Sequence, residues 1–254
     1  LEKNIYNMNN YTIGITTFSN RYHYIVKLLS QIRKFTDKKI VLIVNGEKNG
    51  EFDDDYRNNI LLLSAKYSHV YPIFFIETRG LSKLWNTALI NSYDDNLLLL
   101  NDDLEIHSSD IFDKVDAHIN TNNFNGITKI NNSFSHFIVN KTVIDSIGYF
   151  DERLIGFGEE DGDITYQLLK IGLNINNLFI NGVINIVSNV RHEHIKSGIG
   201  KYSHFNREFI YNQKYEKNLA GNLRGMFDTP MNQILNNIKQ YPYENFFREN
   251  KTKL

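Results

Sequence analysis

The chain has 254 residues, of which 41% are hydrophobic and 22% charged, with a formal net charge of -1. This is the composition of a soluble globular protein of one large or two small domains, and it excludes a disordered tail, a fibrous repeat and a globally basic nucleic-acid binder. Cysteine is absent, which removes disulfides, thiol nucleophiles, thiolate zinc sites and iron–sulfur ligation, so any metal would be held by oxygen and imidazole. The longest apolar runs, Ile40 to Val44, Ile73 to Ile76 and Leu97 to Leu100, fall far short of the ~20 residues that span a bilayer. Leu1-Glu2-Lys3-Asn4 carries no apolar signal core and reads as the start of an internal fragment, with the cytosol as the expected compartment.

In chain order, apolar strand-like blocks alternate with helical periodicity, which predicts βαβ units and a largely parallel sheet, an α/β fold. Tyr11 to Thr17 reads as a first strand. Tyr22 to Lys34 reads as a helix with Ile25, Leu28, Leu29 and Ile32 on one face. Ile40 to Val44 is the second strand, ended by Asn45-Gly46-Glu47; residues 51–59 are polar and read as a solvated connection or exposed helix. Tyr71 to Glu77 is a third strand, Leu81 to Asn91 a helix, and Asn96 to Leu100 a strand buried on both faces. A second region begins near Asn120, with a strand over Phe134 to Val139, a short helix over Lys141 to Ile147 and a glycine-punctuated loop over Gly148 to Gly158. A helix over Asp161 to Ile171 follows, capped by Gly172, and then a strand over Asn185 to Val190. From Arg191 onward there are 11 Lys and Arg against 6 Asp and Glu, so this segment is net +5 and residues 1–190 are net -6.

Three constellations could carry chemistry. Asn101-Asp102-Asp103 ends a buried strand, where ligand sites of open α/β sheets lie. Carboxylates there can hold a hard divalent cation that neutralises a diphosphate; a polar turn is the plain alternative. Glu159-Glu160-Asp161-Gly162-Asp163 packs four acids at a helix start. Capping accounts for one or two of them, and without a cation nearby mutual repulsion raises at least one pKa, as a general base requires. Arg191-His192-Glu193-His194 could complete a cation site with imidazole.

The run Gly148-Tyr149-Phe150-Asp151-Glu152-Arg153-Leu154, followed by Gly156-Phe157-Gly158-Glu159-Glu160-Asp161-Gly162-Asp163, resembles the GT-A fold glycosyltransferases, family 2, which are inverting and nucleotide-sugar-dependent. The acidic half is also similar to the G-G-E-D-D-D stretch of β-1,4-galactosyltransferases. The resemblance covers roughly residues 10–215. It implies a Rossmann-like catalytic domain over 1–215, with a nucleotide-binding half at about 10–106 and an acceptor-binding half at about 120–215, and a basic, aromatic helical extension over 216–254. It also implies Mn²⁺ or Mg²⁺ bound by Asp103 and by His194 or His192, and a ribose or donor-sugar contact for Asp102 beside Asn101. Asp161 becomes the general base, with Glu160 and Phe157 at the acceptor. Thr16, Thr17, Arg21, Asn45, Glu47, Arg79, Lys83 and Asn86 fall where the family contacts nucleotide, and Lys214-Tyr215 falls where relatives carry a Lys-Trp pair. Two departures, Asn45 and Asn101, replace acids common in the family.

The implied activity is sugar transfer (EC 2.4, hexosyltransferase type) from a nucleotide sugar, UDP-sugar favoured. The acceptor is a saccharide or lipid-linked saccharide, as in bacterial capsule or O-antigen synthesis, and no nucleic acid is involved. The alternatives are a non-catalytic sugar- or nucleotide-binding module and a sugar nucleotidyltransferase. Against the last, Thr16 to Arg21 contains no glycine of a phosphate loop. Ile234, Leu235, Tyr241, Tyr243, Phe246 and Phe247, mixed with Lys239, Arg248, Lys251 and Lys253, suit an anionic membrane surface at the inner face, a phosphate-bearing acceptor, another subunit or the chain's own domain.

Overall fold

A computed structural model describes residues 11–18, 21–45, 47–48, 51–76, 79–121, 124–154, 156–186 and 199–215. Its centre is a seven-stranded sheet. In chain order the elements are β1 (Tyr11–Phe18), α1 (Tyr22–Ile32), β2 (Ile40–Asn45), β3 (Glu47–Lys48), β4 (Glu51–Phe52), α2 (Asp54–Ala65), β5 (Val70–Phe75), α3 (Leu81–Asn91), β6 (Asn96–Asn101), β7 (Leu104–Ile106) and α4 (Asp110–Asn120). They continue with β8 (Ile127–Ile130), β9 (Ser133–Asn140), α5 (Lys141–Ile147), α6 (Glu160–Lys170), β10 (Asn176–Leu178), β11 (Val183–Asn185), α7 (Ile199–Phe209) and a π-helical turn at Ile210–Lys214.

The sheet order is β10-β8-β9-β6-β1-β2-β5. β6, β1, β2 and β5 run parallel, and β9 lies antiparallel between β6 and β8. Helices cover both faces, so the central strands are apolar on both sides. Ile13, Ile15, Leu98 and Leu100 pack with the buried face of α1 and with Ile111, Phe112, Val115 and Ile119 of α4. Leu97, Leu99, Phe137 and Val139 pack on the other face with Leu84, Trp85 and Ala88 of α3 and with Ile164 and Leu168 of α6. Gly14 sets the closeness of α3: a Cβ there would lie 2.9 Å from Leu99 Cδ2 and 3.1 Å from Ala88 Cβ.

The predicted strands and helices of the first hundred residues are present, with shifts. The third strand runs 70–75 rather than 71–77, and the polar stretch after the second strand holds α2, capped by Asp53 accepting from Tyr56 N–H. The strand expected at 185–190 is a shorter strand at 183–185, since it pairs only with three-residue β7; residues 187–190 lie outside the described residues. Helix α4 was not anticipated. The second-region helices fall at 141–147 and 160–170.

Candidate active site

Parallel pairing of β1 with β6 places Thr16 beside Asn101. The carboxylates that follow therefore emerge next to the end of β1 and the start of α1. Asp102 is 1% exposed and Asp103 6%. Arg21, just before α1, straddles them, with Nη1 3.1 Å from Asp102 Oδ1 and Nη2 2.8 Å from Asp103 Oδ2. Thr17 Oγ1 and Tyr56 Oη, 3.1 Å apart, close the floor beside them. Burial pushes the Asp102 carboxyl up to about 7 against the pull of Arg21. Burial also works against the charge of Arg21, yet Asp102 and Asp103 hold its guanidinium above the usual range. Asp102 Oδ1 is held by Arg21, whereas Asp103 Oδ1 has no hydrogen-bond partner. A buried acceptor without a donor is costly, so this atom marks a place that a ligand would satisfy.

His136 was not singled out by the sequence. It sits on β9 opposite Leu100, one residue before Asn101. It is 3% exposed, and neither ring nitrogen has a hydrogen-bond partner. Burial pushes its imidazole down to about 4, against the opposing charge of Asp103. The strand register was the signal that could have found it, because antiparallel pairing with the Leu97–Leu100 run carries it beside the end of β6.

The other residues expected at the nucleotide contact protein partners. Asn45, 2% exposed, clamps the loop before α3, its Nδ2 donating to Arg79 O (2.9 Å) and its Oδ1 accepting from Arg79 N–H (3.0 Å). Asn86 holds Phe150 in the same two-way manner and also donates to Glu152 Oε1 (2.9 Å). Lys83 Nζ lies 3.1 Å from Glu152 Oε2. The Arg79 side chain is exposed, and Glu47 lies in β3 with its side chain outside the described residues.

The acidic loop meets this edge directly: Leu81 N–H donates to Gly156 O at 2.7 Å. Most of its acids are engaged. Asp151 accepts from Arg153 and lies 3.3 Å from Lys214 Nζ. Asp163 accepts from Lys214 Nζ (2.5 Å) and Tyr215 Oη (2.7 Å), all buried. Glu159, in the left-handed region at φ 78°, accepts from Arg207 Nε (2.6 Å) and Ser203 Oγ. Glu160, 3% exposed, takes Gly158 N–H on both oxygens, and burial pushes its carboxyl up to about 8. Asp161 alone of the run Glu159–Asp163 has an exposed side chain, and its Oδ1 accepts from Gly162 N–H at 2.9 Å. Phe157, half-buried, lies in the same loop.

Oxygen donors with unmet acceptors suit a hard divalent cation, and Asp102 and Asp103 fit that demand. Among the described residues, no three His, Cys, Asp or Glu side chains converge on one point. His192 and His194, expected to complete the set, lie outside the described residues, as does the 216–254 extension. No helix among the described residues is long and apolar enough to cross a membrane.

No family model matches the sequence, and no curated protein matches it significantly. Solved structures do resemble the chain. The mannosyltransferase PcManGT from Pyrobaculum calidifontis, in complex with GDP-Man and Mn²⁺, aligns with a TM-score of 0.61 at 12% identity, over 74% of this chain and 59% of that one. GalNAc-T7 with UDP, GalNAc and Mn²⁺ gives 0.56 at 12%, over 70% and 43%. Glucosyl-3-phosphoglycerate synthase from Mycobacterium tuberculosis, with Mn²⁺, UDP and glucosyl-3-phosphoglycerate, gives 0.55 at 11%, over 78% and 77%. The chain thus spans well under two thirds of the first of these proteins. Sheet order, layers and these likenesses agree on one conclusion: the chain has the GT-A fold, a mostly parallel Rossmann-like sheet flanked by helices.

Proposed function

We propose that this chain is a metal-dependent, inverting glycosyltransferase of the hexosyltransferase type, moving a sugar from a nucleotide-sugar donor to a saccharide hydroxyl. The observation that carries the reading is the buried Asp102–Asp103 pair, straddled by Arg21 and with Asp103 Oδ1 lacking a hydrogen bond, at the carboxyl edge of parallel strands, where open α/β sheets bind ligands. Support comes from fold neighbours whose complexes hold Mn²⁺ with GDP-Man or UDP.

Asp103 would hold Mn²⁺ or Mg²⁺ together with His194 or His192. The chain passes Asp103 shortly before those histidines, Ile186 N–H donating to Asp103 O at 2.9 Å. When bound, the cation supplies Lewis-acid neutralisation of the diphosphate leaving group. Asp161 takes the proton of the acceptor hydroxyl as its oxygen attacks the anomeric carbon and the bond to the diphosphate breaks, with inversion at that carbon. Glu160, protonated at neutral pH and fastened to Gly158, shapes the loop that carries Asp161. Phe157 offers an aromatic surface for the acceptor. Arg21, Thr16, Thr17, Asn101 and Asp102 line the donor side, with a UDP-sugar the favoured donor. The setting implied by the sequence resemblance is bacterial surface polysaccharide synthesis on a saccharide or lipid-linked saccharide.

A thermal-shift series with UDP, GDP, CDP and dTDP and their sugars, with and without Mn²⁺, tests the donor site. The expected result is stabilisation by one nucleotide, dependent on Mn²⁺ and lost in Asp103→Ala. Occupancy at 100 times Kd is worth ~2.7 kcal/mol, which a melting curve resolves. Silence with every nucleotide overturns the reading in favour of a non-catalytic module. For the nucleotide that binds, the anomeric configuration of the product, read by NMR, tests inversion.

A further inference from the structure

We infer that Glu159 and Arg207 are positioning residues for Asp161: their ion pair straps the acidic loop to α7 and so fixes the start of α6, which carries the proposed base. The inference rests on the reading above of Asp161 as the group that takes the acceptor's proton, and it concerns a helix face that the sequence did not single out.

The loop is gripped from one side of α7. Ser203, Asn206 and Arg207 stand at i, i+3 and i+4, positions that share a face of a helix. Ser203 Oγ and Arg207 Nε, the latter at 2.6 Å, both donate to a single oxygen, Glu159 Oε1. Asn206, buried, donates its Nδ2 to Gly158 O at 2.8 Å. The approach is so close that a Cβ on Gly158 would lie 3.0 Å from Ser203 Cβ. Beyond Asp161, Asp163 is held by Lys214 and Tyr215 from the turn that follows α7. Asp161 stands between these two anchors with its own side chain exposed.

The backbone of Glu159 shows what the strap does. Its φ of 78° lies in the left-handed region, immediately before α6 begins. After glycine, that region is entered most readily by asparagine, aspartate and histidine, not by glutamate, and such a conformation persists only where the surrounding contacts over-determine it. The Glu159 side chain makes no capping bond to α6; its bonds run to α7 instead. The glutamate is thus disfavoured by its backbone and held by its side chain. With the Arg207 side chain 40% exposed, water screens the pair and its share in overall stability is small, so its consequence is geometric. A displacement of about 1 Å in a reacting group can cost ~100-fold in rate.

The test uses the full 254-residue chain and compares two amides that differ by one methylene. Asparagine suits the left-handed region better than glutamine does, whereas glutamine alone is long enough to offer α7 an oxygen where Oε1 lies. A role for backbone conformation alone makes Glu159→Asn at least the equal of Glu159→Gln; the strap requires the reverse. Amide hydrogen exchange over residues 158–163, with no ligand added, is expected to quicken about 10-fold in Glu159→Asn and in Arg207→Met and to stay near the parental rate in Glu159→Gln. Cleavage of the UDP, GDP, CDP or dTDP sugar that stabilises the parent most, with water as acceptor, is expected to fall about 10–100-fold in the same two variants at unchanged donor KM, and to recover in Glu159→Gln. Should Glu159→Asn fail to fold, Arg207→Met carries the test, since it cuts back a partly exposed side chain. Exchange in Glu159→Asn as slow as in the parent or in Glu159→Gln overturns the inference. Faster exchange with parental turnover overturns it too, because the strap would then hold the loop without serving the reaction. If the parent binds no nucleotide, or leaves every nucleotide sugar of the series intact, the glycosyltransferase reading falls and takes this inference with it.

Discussion

Two acidic regions face the same edge of the sheet, and they are built in opposite ways. At the end of β6, Asp102 and Asp103 are buried with one guanidinium between them, and Asp103 Oδ1 lacks a hydrogen bond. In the 148–163 segment, Asp151, Glu159, Glu160 and Asp163 each have named donors, and of the four acids at 159–163 only Asp161 is exposed. The first region has demand left over, as a binding site does. The second uses its acids to hold one carboxylate in place. An acidic cluster is therefore not a unit of function; what separates ligand from scaffold is which oxygens remain without donors.

The sharpest way to break the comparison is Asp161→Asn. Loss of a general base costs ~10²–10⁴ in rate, so turnover is expected to fall by at least two orders of magnitude, with nucleotide binding in the thermal-shift series unchanged. A drop of only a few-fold would refute the assignment. Next comes Lys214→Met, which leaves Asp163 buried without its cation, while Asp151 keeps Arg153. Removing one partner of a buried pair costs about 3–5 kcal/mol, to be read as a lower denaturation midpoint. A variant as stable as the parent would show that Asp163 needs no counter-charge. Asn86→Ala strips Phe150 of both backbone partners, and each buried group left unsatisfied costs about 1–3 kcal/mol, again visible in denaturant. The smallest effect concerns Glu160. Its folded value of about 8 lies above the ordinary 4.5, so the folded state holds an extra proton between those values, and stability falls as pH rises from about 4.5 through 8. Melting temperature against pH is expected to decline less steeply in Glu160→Gln; parallel curves would place the charge on Glu160 in the folded state throughout.

Periodicity made the parallel half of the fold legible, because strands buried on both faces are continuous apolar runs and α1 carries a clean stripe. Helix α4 was also within reach, as Ile111, Phe112, Val115 and Ile119 line one face. The short strands β7, β8, β10 and β11 exist through pairing with distant partners, which no local pattern records. At the site, residue types and order pointed to Asp103 and Asp161 through resemblance; in the structure Asp103 is buried beside Arg21 and Asp161 is exposed. The clamps of Asn45 and Asn86 were hidden, since an amide that braces a backbone looks the same in sequence as one that reads a nucleotide. His136 was hidden for the same reason, its position set by antiparallel register across the sheet.

The junction of Lys214 and Tyr215 with Asp163 also has a temporal side. Lys214 follows Asp163 by 51 residues, so at ribosomal rates of about 5–20 residues per second the nascent acidic loop waits roughly 3–10 s for its counter-charge. During that interval burial of Asp151 and Asp163 is opposed by their own solvation. The sheet strands are made before then, and the segment bearing Asp161 cannot complete its ion pair with Lys214 until the end of the described chain is made.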